Sequence, residues 1–497
     1  MDLGFYTPLG AEALLTALAV LVILLGSLMK KSGNLMGYLS LAGLVVSLGL
    51  VMSTAMSAKL GQVFFFNTIS VDALSQFFKA VFLVVSMLVV IASLSRYKDA
   101  KGADEFYALL LLATVGMMVV SSSIDLVTLF VGFELASLST YALAAFDKSK
   151  RNLEAAMKYF IFGSVSSAFM LFGFSLLYGM TGTTKIAGIA SAALSNFAPA
   201  TLVALIFVIA GFAFKMALVP FHMWAPDTYE GAPALVSGLL AAGSKKMGFA
   251  AAFRVIFVAL LALRLEWYLA FAILAALTMT LGTVLAIWQN YVRRIFAYSS
   301  VAQAGYMAMT FVVVGAALGQ PNGAAIAQNS IAGGLLLILG HALMKMGAFI
   351  AAAVVGYMVL KDGLKEGSDP DDISNYAGLG RRAPITAFCL LIFMFALAGI
   401  PPTAGYIGKF VLFGSAINAG LVWLAVLAIL NSALSLYYYL RIISYMYLKE
   451  PAGPKISEPK GYAVALILTM IGVIGIGVYP QPFYNWAMQA AAVLLPH

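Results

Sequence analysis

One cysteine, Cys389, stands in 497 residues, and the three histidines, His222, His341 and His497, are scattered far apart. A lone thiol excludes an internal disulfide framework, a Cys-ligated iron–sulfur cluster and a Cys-rich zinc site. Charged side chains make up only 10% of the chain, where a soluble domain carries about a quarter. There is no phosphate-binding loop and no dinucleotide fingerprint. The many glycines sit in apolar segments, where they permit close helix packing. No cofactor and no metal is expected.

What is there is apolar. The hydrophobic share is 63% and the mean hydropathy +0.99, with long apolar runs from end to end. These predict an all-α, polytopic membrane protein. The opening "MDLGFYTPLGAEALL" has no basic stretch before its first apolar run, so that run is expected to be a retained helix. Fourteen spans are predicted, from 10–29 to 461–479. Among them, 199–221, 234–254, 293–315 and 383–416 carry the residues of most interest.

The net charge of +9 follows from topology. Lys and Arg concentrate in alternate loops, among them Lys30, Lys31, Arg96, Lys101, Lys148, Arg151, Arg293, Arg294, Lys365 and Arg441, whereas the opposite loops hold only Lys59, Lys185 and Arg264. This positive-inside bias places both termini outside the cell membrane. It attributes the basic excess to lipid contact, not nucleic acid. The loop 361–382, with Asp369, Asp371 and Asp372, reads as a surface loop suited to docking a neighbour.

A second pattern lies inside the spans. Lys215 stands near Pro220, and Lys409 near Pro401 and Pro402, in two spans five crossings apart. An odd offset runs equivalent helices in opposite directions, the inverted-repeat arrangement of transporters with discontinuous helices. A break frees backbone carbonyls and amides that recruit water. Other deep ionisable residues are Glu134, Lys158, Lys245, Lys246, His341 and Lys345, each costing about 2.5–3.5 kcal/mol at the bilayer centre. Glu134 is the one deep acid in this reading, and Lys158, close to a span end, is equally a snorkelling side chain. Lys245 and Lys246 are adjacent, about 100° apart on a helix, so one of them is expected in an interior row. His341 and Lys345 share a helix face at i, i+4. Desolvated lysines whose acidic partner moves or is neutralised make loadable proton carriers, whereas Na⁺ would need more oxygen ligands than one carboxylate supplies.

The stretches "GFAFKMALVPFHMWAPDTYEGAPALVSGLLAAGSKKMG" (211–248), "RRIFAYSSVAQAGYM" (293–307) and "LAGIPPTAGYIGKF" (397–410) resemble the antiporter-like membrane subunits of respiratory complex I, and within them the N type (mitochondrial chain 2 type). The resemblance covers about residues 70–445. It implies fourteen transmembrane helices with two inverted five-helix repeats: helices 1–3 over 1–103, the repeats over 104–262 and 263–447, and a last helix within 448–497. It implies proton pumping without a cofactor, in company with M-, L-, K-, J-, A- and H-type subunits and driven by quinone chemistry elsewhere. By motif, Glu134 matches the glutamate of the fifth helix, Lys158 the lysine of the sixth, Lys215 the glutamate's partner on the broken seventh, Lys245 the central lysine of the eighth and Lys409 the terminal lysine of the broken twelfth. Two departures stand out. Gln303 occupies a place where some bacterial N subunits have histidine, and "HALMKMGAF" (341–349) looks like the M and L types. His341 and Lys345 are then expected to supply the link that Gln303 does not, in a divergent complex such as an archaeal F420H2 dehydrogenase. A cation/proton antiporter subunit of Mrp type is the alternative.

Overall fold

The structure, a computed structural model, describes residues 7–29, 33–57, 60–98, 102–192, 198–361, 369–451, 453–455 and 457–495. Of the residues used in the charge count, Lys30, Lys31, Lys59, Lys101 and Lys365 lie outside these, as does His497.

The chain is built almost wholly of helices. Helices α1 (Gly10–Leu28) and α2 (Gly33–Ala55) lead to a short hairpin, β1 (Gln62–Phe64) against β2 (Ile69–Val71), in register Gln62↔Val71. Then follow α3 (Ala73–Ser93), α4 (Ala103–Ser122), α5 (Leu126–Ala144), α6 (Lys150–Thr181), the short α7 (Ile186–Ser191) and α8 (Ala198–Met216). After α8 the chain breaks and resumes as α9 (Trp224–Gly231) and α10 (Ala234–Leu239), which runs through a π-helical turn, Leu240–Ser244, into α11 (Lys245–Arg254). The second half comprises α12 (Arg264–Ile287), α13 (Val292–Ala317), α14 (Gly323–Lys361), the short α15 (Leu379–Arg382), α16 (Pro384–Ala398), α17 (Ala404–Asn418), α18 (Val422–Leu448), α19 (Lys460–Val478) and α20 (Gln481–Ala492).

Twelve of these helices are, among the described residues, singly long and apolar enough to cross a membrane. The chain is therefore a multi-pass membrane protein. The two remaining predicted spans, 234–254 and 383–416, are composites of shorter pieces. In both the cause is local: a π-turn interrupts the first, and Gly399, in the left-handed region at φ +90°, ends α16 before Pro401. The hairpin and the amphipathic α20 were not foreseen.

Helix starts follow the capping residues. The Asp72 carboxylate accepts from the Ser75 amide at 2.8 Å and the Asp72 amide donates in return to Ser75 Oγ at 3.0 Å, closing a capping box on α3. Asp125 accepts from Val127 and Thr128 at the start of α5, so it belongs to the span end, nine residues before Glu134.

Helices α13 and α14 are buried along nearly their whole length, with α3 and α4 close behind, and form the interior against which the others pack. Helices α1, α6, α18 and α19 turn apolar faces outward, for example Leu24, Ile161, Phe172, Leu430 and Ile471. Such faces suit lipid or a neighbouring apolar chain.

The loop reading of 361–382 needs correction. Within its described part, Asp371 is buried and holds Arg293 of α13 at 2.5 Å and Arg151 of α6 at 3.0 Å. A buried carboxylate is kept only when paired, and here the pairing ties this segment inward across two helices.

Candidate functional site: a buried row of amines

The site begins at the break after α8. The carbonyls of its last turn lose their helical partners there. Trp224, the first residue of α9, donates its Nε1–H to the Phe214 carbonyl at 2.9 Å, so one half of the break caps the other. One residue on, Lys215 turns inward, almost wholly buried. Its Nζ donates to Ser137 Oγ at 2.9 Å and to Tyr159 Oη at 3.2 Å. It also lies 5.3–5.9 Å from the ring centroids of Phe133, Tyr159 and Tyr141. Such rings stabilise a cation through their electron-rich faces.

Glu134 sits on α5, one turn before Ser137, and accepts from Ser167 Oγ of α6 at 2.5 Å. No ion pair within 4.0 Å joins it to Lys215 among the described residues; the acid and the amine are held by separate hydroxyls, Ser167 for one and Ser137 and Tyr159 for the other. Lys158 departs further from expectation. It is well exposed and pairs with Glu154 at 2.8 Å and Asp227 at 3.0 Å, outside the row. Asp227 and Glu230 of α9 continue this chain of charges to Arg294, at 3.2 and 2.6 Å, and Glu230 reaches Arg151 at 2.8 Å.

From Lys215 the row passes to α11. The helices are close: a Cβ on Gly248 would stand 3.1 Å from the Lys215 Cβ. Lys245 Nζ donates to the Ser300 hydroxyl at 2.9 Å and its carbonyl at 3.1 Å. Contrary to expectation, Lys246 is buried as completely as Lys245; its recorded neighbour is Met307 Sδ, at 3.3 Å.

Helix α13 supplies the shared polar edge, because Ser299, Ser300, Gln303, Tyr306 and Met307 recur at helical spacing on one side. Lys345 of α14 donates to Ser299 Oγ at 2.7 Å and to the Phe296 carbonyl at 2.8 Å; Ser299 in turn meets Tyr439 Oη at 2.5 Å. One turn before Lys345, His341 is fully buried, and neither ring nitrogen is bonded to any of the described residues. Lys246, Lys345, Lys245 and Lys409 all lie within electrostatic reach of it.

The far end lies at the second break. Lys409 of α17 donates to the Leu397 carbonyl at 3.0 Å, to the Ala398 carbonyl at 3.2 Å and to Ser432 Oγ at 2.9 Å. The two carbonyls are those that the end of α16 leaves free. Gln303 Nε2 donates to the same Leu397 carbonyl at 2.9 Å, so it does join the row, at Lys409. A cleft of about 510 Å³, lined by Tyr406, Phe410, Ile429, Ser432 and Leu436, opens beside this lysine.

The structure thus brings Lys215, Lys245, His341, Lys345, Gln303 and Lys409 into one buried sequence of groups, places the half-buried Glu134 beside its Lys215 end, and leaves Lys158 out. Both breaks, at Pro220 and at Pro401 and Pro402, adjoin a lysine of that row. Sequence reasoning missed the hydroxyls, Ser137, Tyr159, Ser299, Ser300, Ser432 and Tyr439, which serve as partners to the amines. It also missed two buried charge pairs outside the row. Lys79 meets Glu12 at 2.7 Å, and Arg254 grips Asp72 at 2.8 and 3.0 Å while donating to the Ser121 carbonyl. The period of apolar residues in α3 held a signal for the first pair, since Lys79 stands within a run of buried positions.

An array of amines with hydroxyl and carbonyl partners, spaced across the middle of a helical bundle, can pass protons through water or hydroxyl contacts. Among the described residues no cluster of His, Cys, Asp and Glu suits a metal.

Comparison with known proteins agrees with this architecture. The chain is 50% identical to F420H2 dehydrogenase subunit N of Methanosarcina mazei, over 98% of this chain and 99% of that one. It is 38% identical to NADH-quinone oxidoreductase subunit N of Trichlorobacter lovleyi, over 97% and 96%. A chain of respiratory complex I from Thermus thermophilus superposes with a TM-score of 0.79 at 30% identity, over 96% and 98%. Residues 123–435, from the start of α5 into α18, match the transmembrane family described as NADH:quinone oxidoreductase/Mrp antiporter, and the chain belongs to that family.

Proposed function

We propose that the chain is a proton-translocating subunit in the membrane arm of a complex I-like oxidoreductase, with F420H2 or NADH oxidised on other subunits. The single observation that carries this is the row of four buried lysines, Lys215, Lys245, Lys345 and Lys409, each bonded to a hydroxyl and, among the described residues, none to a carboxylate within 4.0 Å. A structural helix bundle gains nothing from four such amines, whose insertion costs about 2.5–3.5 kcal/mol each. The subunit-N relatives favour this reading over a free-standing Mrp-type antiporter. In it, fourteen segments cross the cytoplasmic membrane with both termini outside. The two breaks sit at matched places in inverted repeats over 104–262 and 263–447. The partners are the other membrane-arm subunits, and lipid covers the rest.

Lys215→Ala in the assembled complex tests it. Proton uptake into inverted vesicles is expected to fall to background, with coupled electron transfer slowed and subunit content unchanged. Full pumping by that variant overturns the reading.

A further inference from the structure

The break between α8 and α9 is held by a feature the row alone does not require. Trp224 is nearly fully buried and belongs to both halves: its Nε1–H bonds the Phe214 carbonyl, adjacent to Lys215, while its own backbone starts α9. Its indole stacks on the Tyr159 ring, centroids 4.6 Å apart and planes 16° apart. Tyr141 meets Tyr159 edge-on, at 4.6 Å and 85°. The phenol ring thus packs on two aromatic residues, and its hydroxyl lies beside two polar atoms, Lys215 Nζ at 3.2 Å and Thr140 Oγ1 at 3.4 Å.

The stacked pair has an anchor. The helix that carries Trp224 also carries Asp227 and Glu230, which are fastened to Lys158, Arg294 and Arg151. Lys158 is the sequence neighbour of Tyr159. The ionic ladder thus holds α6 and α9 together on the side where Trp224 meets Tyr159, and any sliding of α9 against α8 moves the indole and draws the phenol off the amine.

We propose that Tyr159 and Trp224 are positioning residues for proton transfer at Lys215: Trp224, tied to both halves of the broken helix, holds Tyr159 so that its phenol oxygen fixes the Lys215 amine. This rests on the function proposed above. The groups facing the amine are few. From α5 come Phe133, Ser137 and Tyr141, with Glu134 one turn before Ser137 and bound to Ser167; from α6 comes Tyr159; from α11 Gly248 packs on the base of the Lys215 side chain, with Lys245 one turn off. Among the described residues the phenol oxygen is one of two hydrogen-bond acceptors on Nζ, so its loss disfavours the charged amine.

Tyr159→Phe in the assembled complex keeps the ring and its stacking and removes the oxygen. Pumping by inverted vesicles is expected to fall about tenfold or more, the scale of a hydrogen bond to a charged group. The alkaline limb of its pH profile moves to lower pH, with assembly and thermal stability as in the parent. Trp224→Phe keeps an aromatic side chain at the position, drops the bond to the Phe214 carbonyl, and is expected to move the profile the same way by less. A parental rate and profile in Tyr159→Phe overturns the proposal. So does a slowed rate with an unmoved profile, which makes the residue packing alone. Should Tyr159→Phe not assemble, the profile of Trp224→Phe decides by the same criterion. Lys215→Ala, run alongside, separates the two failures: if it pumps normally, the functional reading falls and there is no transfer to position.

Discussion

Lys246 is the residue whose surroundings least suit its charge. It is fully buried, with a thioether as its recorded contact and other amines nearby. A buried ammonium without an oxygen partner is costly, and an apolar side chain of similar length removes that cost. Lys246→Met is therefore expected to raise the denaturation temperature of the assembled complex, whereas Lys245→Met, which strips the Ser300 hydroxyl and carbonyl of their donor, is expected not to. Parallel thermal melts check this. The same contrast explains what was legible in the sequence. Lys215, Lys245, Lys345, Lys409 and Glu134 stood out because a charge in an apolar run has no cheap explanation. Ser137, Ser299, Ser432 and Tyr439 did not, because Ser and Tyr are ordinary in membrane helices and most bond their own backbone. Lys79 and Glu12 escaped notice as a pair because they stand on different helices, and only the fold brings the amine and the carboxylate together.

At the scale of elements, prolines near lysines marked both breaks correctly, since a missing amide must interrupt a helix. The π-turn before Lys245 carries no such residue and could not be read. It holds one residue more per turn than its flanks, so passing that extra residue along the helix beyond both lysines would bring Lys245 to the bearing that Lys246 now has. Ionic ties fix the neighbouring elements. Asp371 binds Arg293 through both oxygens, at 2.5 and 2.6 Å, as well as Arg151. Asp371→Ala strands buried guanidinium charge, a mechanism worth about 3–5 kcal/mol, and is expected to lower the melting temperature by several degrees or block assembly. Asp72, at the start of α3, is pushed up by burial but more than offset by Arg254, which holds its carboxyl below the usual carboxylate range. A carboxylate with a depressed folded pKa contributes stability in full above its unfolded value, about 3.9, and loses it as pH falls through the folded one. The α3–α11 tie is thus expected to persist through mildly acidic pH and to weaken only below about pH 4. Melting curves of the parent should steepen in their pH dependence there, and those of Arg254→Met should lose that dependence.

For the whole molecule, apolar runs made the membrane class legible and loop charges predict a sidedness, whereas the inward role of Asp371 was not legible, because a loop's composition does not say what it folds against. The sidedness has a direct test. Cys389 is buried, so single added cysteines report on solvent access. Phe66→Cys, at a hairpin position that is 97% exposed, is expected to react with an impermeant thiol reagent from outside intact cells. Lys148→Cys, in the basic set of loops, is expected to react only in inverted vesicles; the reverse pattern would turn the chain over. The gap at Lys409 has room for several small molecules and a cation at its floor. Flooded by acyl tails, that wall leaves the last amine stranded; abutted by another polypeptide, it becomes an enclosed vestibule handing charge sideways. A solitary copy is, on this view, a conduit with its end cap missing.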